Sequence, residues 1–371
     1  MNIKKNKILN NRTIIKLICT FVVLTNLAGC AKSGSAVKTS AEVDSKTTTH
    51  VVTDMNGRKV TIPKTINKVL SLSNNTTVDI YTIAPDKLAG LSFALKDAAK
   101  KYINEKYYKL PVVGTTSDKK IDYETILKIK PDLIVCSEED QVYAADEIQK
   151  QLNIPVVMVS ASLEDTEKVY TFLGECLGEQ ARAKQLADYS KKALENVKTM
   201  VDKIPADKKI KVYYAEGTNW LQTDISGNVH TEVLDFVGAK NVADISEAKV
   251  GSMATVSMEQ VLSWNPDVIL EGATAAKGKL YSIVSKDKNW TKVNAIKNNK
   301  FYKIPALPFN LVDRPPSAVR VLGVQWLGNM LYPQYVKIDM NKEFKDFYRL
   351  FYNYTLTDDD LKGLLKNATL K

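Results

Sequence analysis

Histidine is nearly absent from this chain of 371 residues, which contains only His50 and His230. Proteins that bind bare zinc or manganese normally supply several histidine and carboxylate ligands, so the composition argues against a free-metal binder and predicts no metal ligands. A Ser-His-Asp or Cys-His catalytic set would have to use His230, and no convincing nucleophile accompanies it. We therefore expect a protein that is not an enzyme and carries no cofactor, while glycosidase-like carboxylate pairs stay open.

Cysteine and arginine are also scarce, with four and six residues respectively. Cys19 and Cys30 lie near the N-terminus, and the spacing of Cys136 and Cys176 matches no metal motif. Cys136 ends an apolar strand and Cys176 lies in a helix-like stretch, so we expect buried free thiols. The formal net charge of +10 falls to +5 without the five basic residues of the first 29 positions. So mild an excess does not indicate nucleic-acid binding.

The first 29 residues have the pattern of an export signal. A basic start is followed by an apolar run over 17–24 that is too short to span a bilayer. The sequence then reads Leu27-Ala28-Gly29-Cys30, which resembles a bacterial lipobox and implies cleavage before Cys30 and lipidation of its thiol. An ordinary signal peptide with an incidental cysteine is the alternative. Residues 30–50 are mostly small and polar, and they predict a flexible linker between lipid and folded body.

One segment of the chain occurs twice, over 121–135 and over 255–270. In each copy a glutamate, Glu124 or Glu259, is followed seven residues later by Pro-Asp and then by an apolar run. Apolar residues at helical spacing predict a short amphipathic helix, which the proline ends before a buried parallel strand begins.

A strand-loop-helix unit precedes each copy, from Lys68 and from Lys211. Two such βαβ halves predict an α/β fold with two Rossmann-like lobes, each built on a parallel sheet. Residues 179–204 lack Gly and Pro and predict one long rigid helix of about 35 Å between the lobes. The predicted division is therefore an N-terminal lobe over 51–178 and a C-terminal lobe over 205–371. A helix belonging to one lobe is the alternative for 179–204.

In this order, the motifs resemble cluster A (class III) substrate-binding proteins of ABC importers, the group that handles iron-siderophores, haem and cobalamin. The resemblance covers nearly everything after the linker and includes, with the lipobox and the repeat, the segments 52–58, 110–114, 237–243, 313–317 and 344–365. It implies two α/β lobes, a rigid connecting helix and a shallow ligand cleft. It also implies that Glu124 and Glu259 form salt bridges with arginines of the permease dimer. A helix-start position favoured by the macrodipole is the alternative for both.

Ligand contacts are expected at the carboxyl ends of the strands. Arg314 is the candidate for an anionic group, because its planar fork suits carboxylate or oxyanion oxygens, and a structural pair with Asp313 or another carboxylate is the alternative. His230 could ligate haem or a metal chelate, or simply begin a helix. The remaining predicted contacts are aromatic walls and hydrogen-bond donors: Trp220, Tyr214, Phe309, Asn75, Thr76 and Thr115. By contrast, the aromatic stripe from Phe344 has i, i+3, i+4, i+7 spacing and predicts core.

The resemblance predicts a monomeric, lipid-anchored receptor on the outer face of the cell membrane that delivers a small-molecule metal chelate to an ABC permease dimer. A ferric siderophore is placed first because such ligands are common in the family. Haem, cobalamin, a nickel chelate and a molybdate-type oxyanion stay open. A surface enzyme or a structural lipoprotein would be functions of a different class.

Overall fold

The computed structural model describes residues 48–138, 142–245, 253–272, 284 and 286–368. The predicted signal, Cys30 and most of the predicted linker lie outside these residues. The chain divides into Met1–Lys46 and one compact unit over Thr47–Lys371. Among the described residues, no helix is both long enough and apolar enough to cross a membrane.

The N-terminal lobe is built on a parallel sheet of three strands. Its strands stand in the order β3-β6-β7, and every residue of the three is buried, as expected for a sheet covered on both faces. Two short antiparallel pairs, β1 with β2 and β4 with β5, flank it. The elements of this lobe are β1 (Thr49–Thr53), β2 (Lys59–Pro63), β3 (Val69–Ser71), α1 (Asn74–Ile83), β4 (Gly114–Thr115), β5 (Lys120–Ile121), α2 (Tyr123–Ile129), β6 (Leu133–Ser137), α3 (Val142–Leu152), β7 (Val156–Val159) and α4 (Thr166–Leu177).

The C-terminal lobe carries a second parallel sheet, in the order β10-β8-β12-β13. Strands β9 and β11 form a separate antiparallel pair. The elements are β8 (Lys211–Ala215), β9 (Gln222–Thr223), α6 (Glu232–Phe236), β10 (Lys240–Asn241), β11 (Ala254–Thr255), α7 (Met258–Trp264), β12 (Val268–Glu271), α8 (Asn294–Lys297), β13 (Phe301–Lys303) and α9 (Arg320–Leu331). The predicted α/β class with two parallel sheets is confirmed.

The sequence repeat folds into the same joint in both lobes. Helices α2 and α7 both end on a residue in the left-handed conformation, Lys130 and Asn265. The Pro-Asp aspartate that follows accepts a hydrogen bond from the backbone of the neighbouring strand segment: Asp132 from Lys68 at 2.9 Å and Asp267 from Lys211 at 3.0 Å. The side chains of these lysines donate to the last turns of the helices, at Ile129 O and Trp264 O. The repeat therefore fixes each helix against two strands.

Between the lobes runs α5 (Gln180–Val201), whose 22 residues span about 33 Å. It packs against α4 and α9. Its buried face includes the apolar residues Leu186, Leu194, Val197 and Val201.

One boundary differs from the predicted division, and one helix contacts both lobes. Strand β1 begins at Thr49, so His50, which was placed in the linker, pairs with Ile62 in the hairpin. The last helices, α10 (Met340–Tyr352) and α11 (Asp358–Leu364), were assigned to the C-terminal lobe. Helix α10 packs against α9 and also against α1 of the first lobe, with Tyr352 6.5 Å from Tyr81 between ring centroids. Beyond α11 the chain bonds to the C-terminal lobe, where Lys303 N donates to Asn367 O at 2.8 Å.

The predicted aromatic stripe is core: Phe344, Phe347, Tyr348 and Phe351 are at most 2% exposed. They belong to a hydrophobic cluster that includes residues from both sheets and from α5. Cys136 and Cys176 are buried free thiols, as predicted. The shared core joins the lobes into one packed body.

Candidate functional site

Polar side chains gather where strand β8 ends in the C-terminal lobe. Gly217 adopts a left-handed φ of 73°, which lets the chain turn directly after Glu216. The chain returns at Gln222, whose backbone exchanges hydrogen bonds with that of Glu216 at 2.8 and 3.3 Å. This loop brings Asp224 beside Glu216. Gly272, at the end of β12, lies against the Glu216 carboxylate so closely that a Cβ there would collide with it.

A third carboxylate comes from the segment after β13. Asn310 forms a side-chain turn in which its Oδ1 accepts from the backbone N–H groups of Val312 and Asp313, at 2.8 and 3.2 Å. This turn holds Asp313, whose carboxylate oxygen lies with those of Glu216 and Asp224 within 4.8 Å of one another. Three buried carboxylates from two segments of the chain therefore meet at one point.

Arg314 lies among these carboxylates, and we call the four residues the Arg314 cluster. Its Nη1 donates to Glu216 Oε1 at 3.2 Å, to Asp224 Oδ2 at 2.9 Å and to Asp313. The carboxylate side chains are 0% exposed, whereas that of Arg314 is 23% exposed. The predicted alternative of a structural pair with Asp313 or another carboxylate is therefore present, and with three partners instead of one.

Burial governs the charges of this cluster. It raises the pKa of Asp224, against the opposing effect of the Arg314 charge. Burial also opposes the charge on Arg314, but the pKa of Arg314 is raised overall because Tyr214, Asp224 and Glu216 lie nearby. Arg314 is therefore permanently charged, and the buried carboxylates hold it in place.

His230 lies beside the cluster, with Nδ1 3.7 Å from Asp313 Oδ2. Burial, and then the charges of Arg314 and Arg320, lower its pKa to about 3. His230 is thus neutral at physiological pH and adds no positive charge to the site. Helix α6 begins two residues later than predicted, at Glu232.

The N-terminal lobe presents a neutral polar loop around the start of α1. Asn75 donates to Ser137 Oγ at 3.0 Å, and Ser137 N donates to Ser73 Oγ at 2.9 Å. The first turn of α1 has no acidic residue, and Ser73 makes no side-chain cap. No acidic side chain in this turn therefore offsets the positive end of the helix dipole, which favours a negatively charged group in front of α1.

Three polar contacts join the two lobes next to this loop. Asp79 of α1 accepts from Ala318 N at 3.1 Å. Arg320 donates to Ala161 O, and Leu163 N donates to Glu232 Oε2 at 2.9 Å. Asn75, Asp79 and Arg320 help to line a cavity of about 10 Å³ between the lobes, large enough for one water molecule.

Comparison with known proteins identifies the family. A family model described as "Periplasmic binding protein" matches residues 71–307. The chain belongs to this family. This periplasmic binding protein is 30% identical to the molybdate-binding protein MolA of Haemophilus influenzae, over 84% of its own length and 93% of MolA. It is 25% identical to the uncharacterised ABC transporter substrate-binding lipoprotein YvrC of Bacillus subtilis, over 84% of this chain and 94% of YvrC.

Its fold resembles that of an ABC transporter solute-binding protein from Sulfurospirillum deleyianum, with a TM-score of 0.79 and 29% identity. That match covers 85% of this chain and 99% of the solved one. The predicted class III fold is confirmed. The chain is an extracytoplasmic substrate-binding protein of an ABC importer. Such binding proteins work with a membrane permease and an ATPase, and they are not enzymes.

Among the predicted contacts of this binding protein, Asn75 lines the small cavity between the lobes, and Arg314 and His230 lie together beside Asp313. Phe309 also lies between the lobes, 6.2 Å from Phe93 between ring centroids, but it is only 6% exposed. Tyr214 is fully buried beneath the Arg314 cluster and forms no wall.

Three other predicted contacts serve the fold instead. Trp220 is 0% exposed and packs on Trp290 in the core of the C-terminal lobe, because its loop folds inward at a left-handed φ of 59°. Thr76 bonds with Ser71 and with Ser73 O. Thr115 bonds with Asp118 in the tight turn between β4 and β5.

Glu216, Asp224 and Asp79 were not predicted as site residues. An acidic residue directly after a strand, as at Glu216, was an available signal. Asp224 carried no such signal, because only the return of the chain at Gln222 brings it to Glu216.

Proposed function

We propose that this binding protein captures a compact oxyanion of the molybdate type in the cleft between its lobes. The proposal is supported by one observation, which is that only one of the two edges of the Arg314 guanidinium is bonded to the protein. Its Nη1 is fixed by three carboxylates, while its Nε and Nη2 form no hydrogen bond with any residue that the structure describes. A planar edge with two such donors suits bidentate binding of an oxyanion.

The facing surface supports the same ligand class. The start of α1 brings a helix dipole and the neutral side chain of Asn75 to the small cavity between the lobes, and a helix N-terminus is a common environment for anions. The similarity to MolA, whose name records molybdate binding, agrees with this reading. The ferric siderophore stays a prediction, because it depended on how common such ligands are and not on a residue of this chain.

Calorimetric titration of the purified protein with molybdate, a ferric siderophore and haemin tests the proposal. Arg314→Lys keeps a positive charge among the carboxylates but removes the planar fork, so molybdate affinity should fall about ten- to a hundredfold. Arg349→Lys is the matched control, since Arg349 is 70% exposed on α10. Tight binding of a siderophore without molybdate binding, or an unchanged affinity in Arg314→Lys, would overturn the assignment.

We also propose that Cys30 is lipidated and anchors the protein to the membrane. The support is the Leu-Ala-Gly-Cys sequence and the similarity to YvrC, which is named a lipoprotein. Cys30→Ser should release the protein into the medium, because two or more acyl chains are needed for stable anchoring. Membrane fractionation and mass spectrometry of the mature N-terminus measure this, and an unmodified N-terminus on membrane-bound wild type would contradict it.

We propose, further, that Glu124 and Glu259 dock the permease dimer. Each is the second residue of an equivalent helix and is exposed, so two pseudo-equivalent lobes offer matching charges to a two-fold partner. Reversal of both to Lys should abolish transport and leave ligand affinity unchanged, whereas single Ala changes should impair it modestly, since exposed pairs are worth ~0.2–1 kcal/mol. Reversal of the exposed pair Asp188 and Asp207 is the control. Normal transport by the Glu124/Glu259 double reversal would place docking elsewhere.

A further inference from the structure

The stretch of chain that carries Arg314 is held by both lobes. Arg314 itself bonds to Glu216 and Asp224 of the C-terminal lobe, at 3.2 and 2.9 Å. The two ends of the same stretch, over residues 309–320, contact the N-terminal lobe instead. We call residues 309–320 the Arg314 segment. The position of its arginine therefore depends on contacts with both lobes.

The first end of the Arg314 segment is held by an aromatic contact. The ring of Phe309 meets that of Phe93 edge to face, with 6.2 Å between the centroids and 75° between the planes. Phe309 is only 6% exposed, and Tyr352 lies 6.1 Å from it between ring centroids. The next residue, Asn310, forms the side-chain turn that leads into Asp313. A shift of the Phe309 ring would therefore move the turn directly before the arginine.

The second end is held by two buried hydrogen bonds. Ala318, four residues after Arg314, donates its backbone N–H to Asp79 of α1 at 3.1 Å. The guanidinium of Arg320 donates to the backbone oxygen of Ala161, which follows β7. Ala318 and Arg320 are at most 5% exposed, so both bonds are shielded from water.

Helix α1 supports both ends of the segment. Phe93 directly follows Ser92, whose hydroxyl donates to Asn74 Oδ1 at the start of α1 at 3.0 Å and bonds with Thr77 at 2.7 Å. Asp79, which accepts the bond from the second end, lies further along the same helix. The two contacts therefore hold the Arg314 segment at two points of one element of the opposite lobe.

We propose that Phe93 and Asp79 are positioning residues for the ligand site. They hold the two ends of the Arg314 segment, and so they keep the guanidinium in the place where it meets an oxyanion. This inference rests on the proposed oxyanion function and adds two residues of the N-terminal lobe to it. When one end is loosened, only a fraction of the molecules present Arg314 correctly, and the apparent affinity falls by that fraction. The contacts at the two ends are of a kind that corresponds to about two- to tenfold in an equilibrium constant.

Calorimetric titration of the purified protein with molybdate measures this loss. Phe93→Ala should bind molybdate about two- to tenfold more weakly, whereas Phe93→Tyr keeps the ring and should bind it as wild type does. Phe172→Ala is the matched control, since Phe172 of α4 is also partly buried and packs on the same hydrophobic cluster. At the other end, Asp79→Ala should weaken binding by a similar factor. Asp79→Asn keeps an oxygen that accepts from Ala318 N and should bind as wild type does.

A double variant shows whether Phe93 acts through Arg314. In Arg314→Lys the planar fork is already lost, so the addition of Phe93→Ala should weaken molybdate binding much less than Phe93→Ala does alone. A merely structural role would lower the free energy of unfolding alike in both backgrounds. Fully additive losses of affinity would show that Phe93 acts independently of Arg314 and would overturn the proposal.

Hydrogen exchange of the ligand-free protein tests the hold on the segment without any ligand. In Phe93→Ala the amides of residues 310–313 should exchange faster than in wild type, while those of β9 and β11 should not change. Unchanged exchange at 310–313 would contradict the proposal. If wild type binds no molybdate, the proposed function fails, and faster exchange would still show that Phe93 holds the segment. Molybdate binding that neither Phe93→Ala nor Asp79→Ala weakens would refute the positioning role and leave the function standing.

Discussion

Asp79 places an ionisable group inside the contact between the lobes, and its replacement by asparagine should change how stability depends on pH. Burial raises the pKa of Asp79 from 3.8 to about 7, against the opposing effects of its bond from Ala318 N and of the Arg320 charge. Tyr170 and Tyr352 also lie close enough for the Asp79 charge to act on them. The side-chain amide in Asp79→Asn would keep an oxygen that accepts from Ala318 N, but it cannot ionise.

The raised pKa of Asp79 determines whether stability rises or falls with pH. The folded protein binds a proton at Asp79 more tightly than the unfolded chain does, so this group contributes stability that is complete below about pH 4 and is lost as the pH rises to about 7. The change from 3.8 to about 7 corresponds to at most about 4 kcal/mol, since one pKa unit is about 1.4 kcal/mol. Asp79→Asn should therefore match wild type near pH 4 and exceed its free energy of unfolding at pH 8.

Urea unfolding of wild type and Asp79→Asn between pH 4 and pH 8 measures this difference. Asp188→Asn provides the control, because Asp188 lies on the surface of α5 in an ion pair with Lys184 and its replacement should shift the curve little. Parallel pH profiles for wild type and Asp79→Asn would refute the reasoning. They would show that Asp79 stays ionised, with enough support from Arg320 to offset its burial.

Three other perturbations test the fold and the site. Asp132→Ala and Asp267→Ala should each lower the free energy of unfolding by about 1–3 kcal/mol, because each leaves backbone donors of the repeated joint unpaired; a loss confined to one of them would show that the joints are not equivalent in energy. Gly272→Ala should push the Glu216 carboxylate away from Arg314 and weaken molybdate binding, whereas Gly363→Ala, where a Cβ would meet nothing within 4 Å, should leave calorimetric titrations unchanged. X-ray scattering curves with and without saturating ligand should nearly superimpose, since α5 and the shared core resist large closure; strong compaction would contradict this.

The repeat was predictable because its signals are local. Pro-Asp after helical periodicity ends a helix and begins a strand wherever it occurs, and the joints at Asp132 and Asp267 follow that rule. The aromatic stripe from Phe344 was readable for the same reason. Neither needed knowledge of distant parts of the chain.

The site was only partly predictable, because its chemistry depends on residues far apart in sequence. Arg314 and its neighbour Asp313 were named together from the sequence, but the other two partners, Glu216 and Asp224, lie 98 and 90 residues away, and no spacing links them to Arg314. Trp220, by contrast, was predicted as a ligand contact although it is a core residue. A loop after a strand suggests an accessible side chain, yet this loop folds into the hydrophobic core.

The contact of α10 with the first lobe affects the order in which the protein can complete its folding. Helix α10 supplies Tyr348 and Phe351, whose rings lie 5.5 and 6.1 Å from those of Tyr102 and Tyr170 in the N-terminal lobe. A nascent chain that has not yet reached residue 352 lacks this aromatic layer, so its first lobe still exposes apolar surface. A protein exported as an unfolded chain from its N-terminus would therefore finish folding only when its last helices have crossed the membrane. Until then the chain would stay incompletely folded, as translocation of an unfolded chain requires.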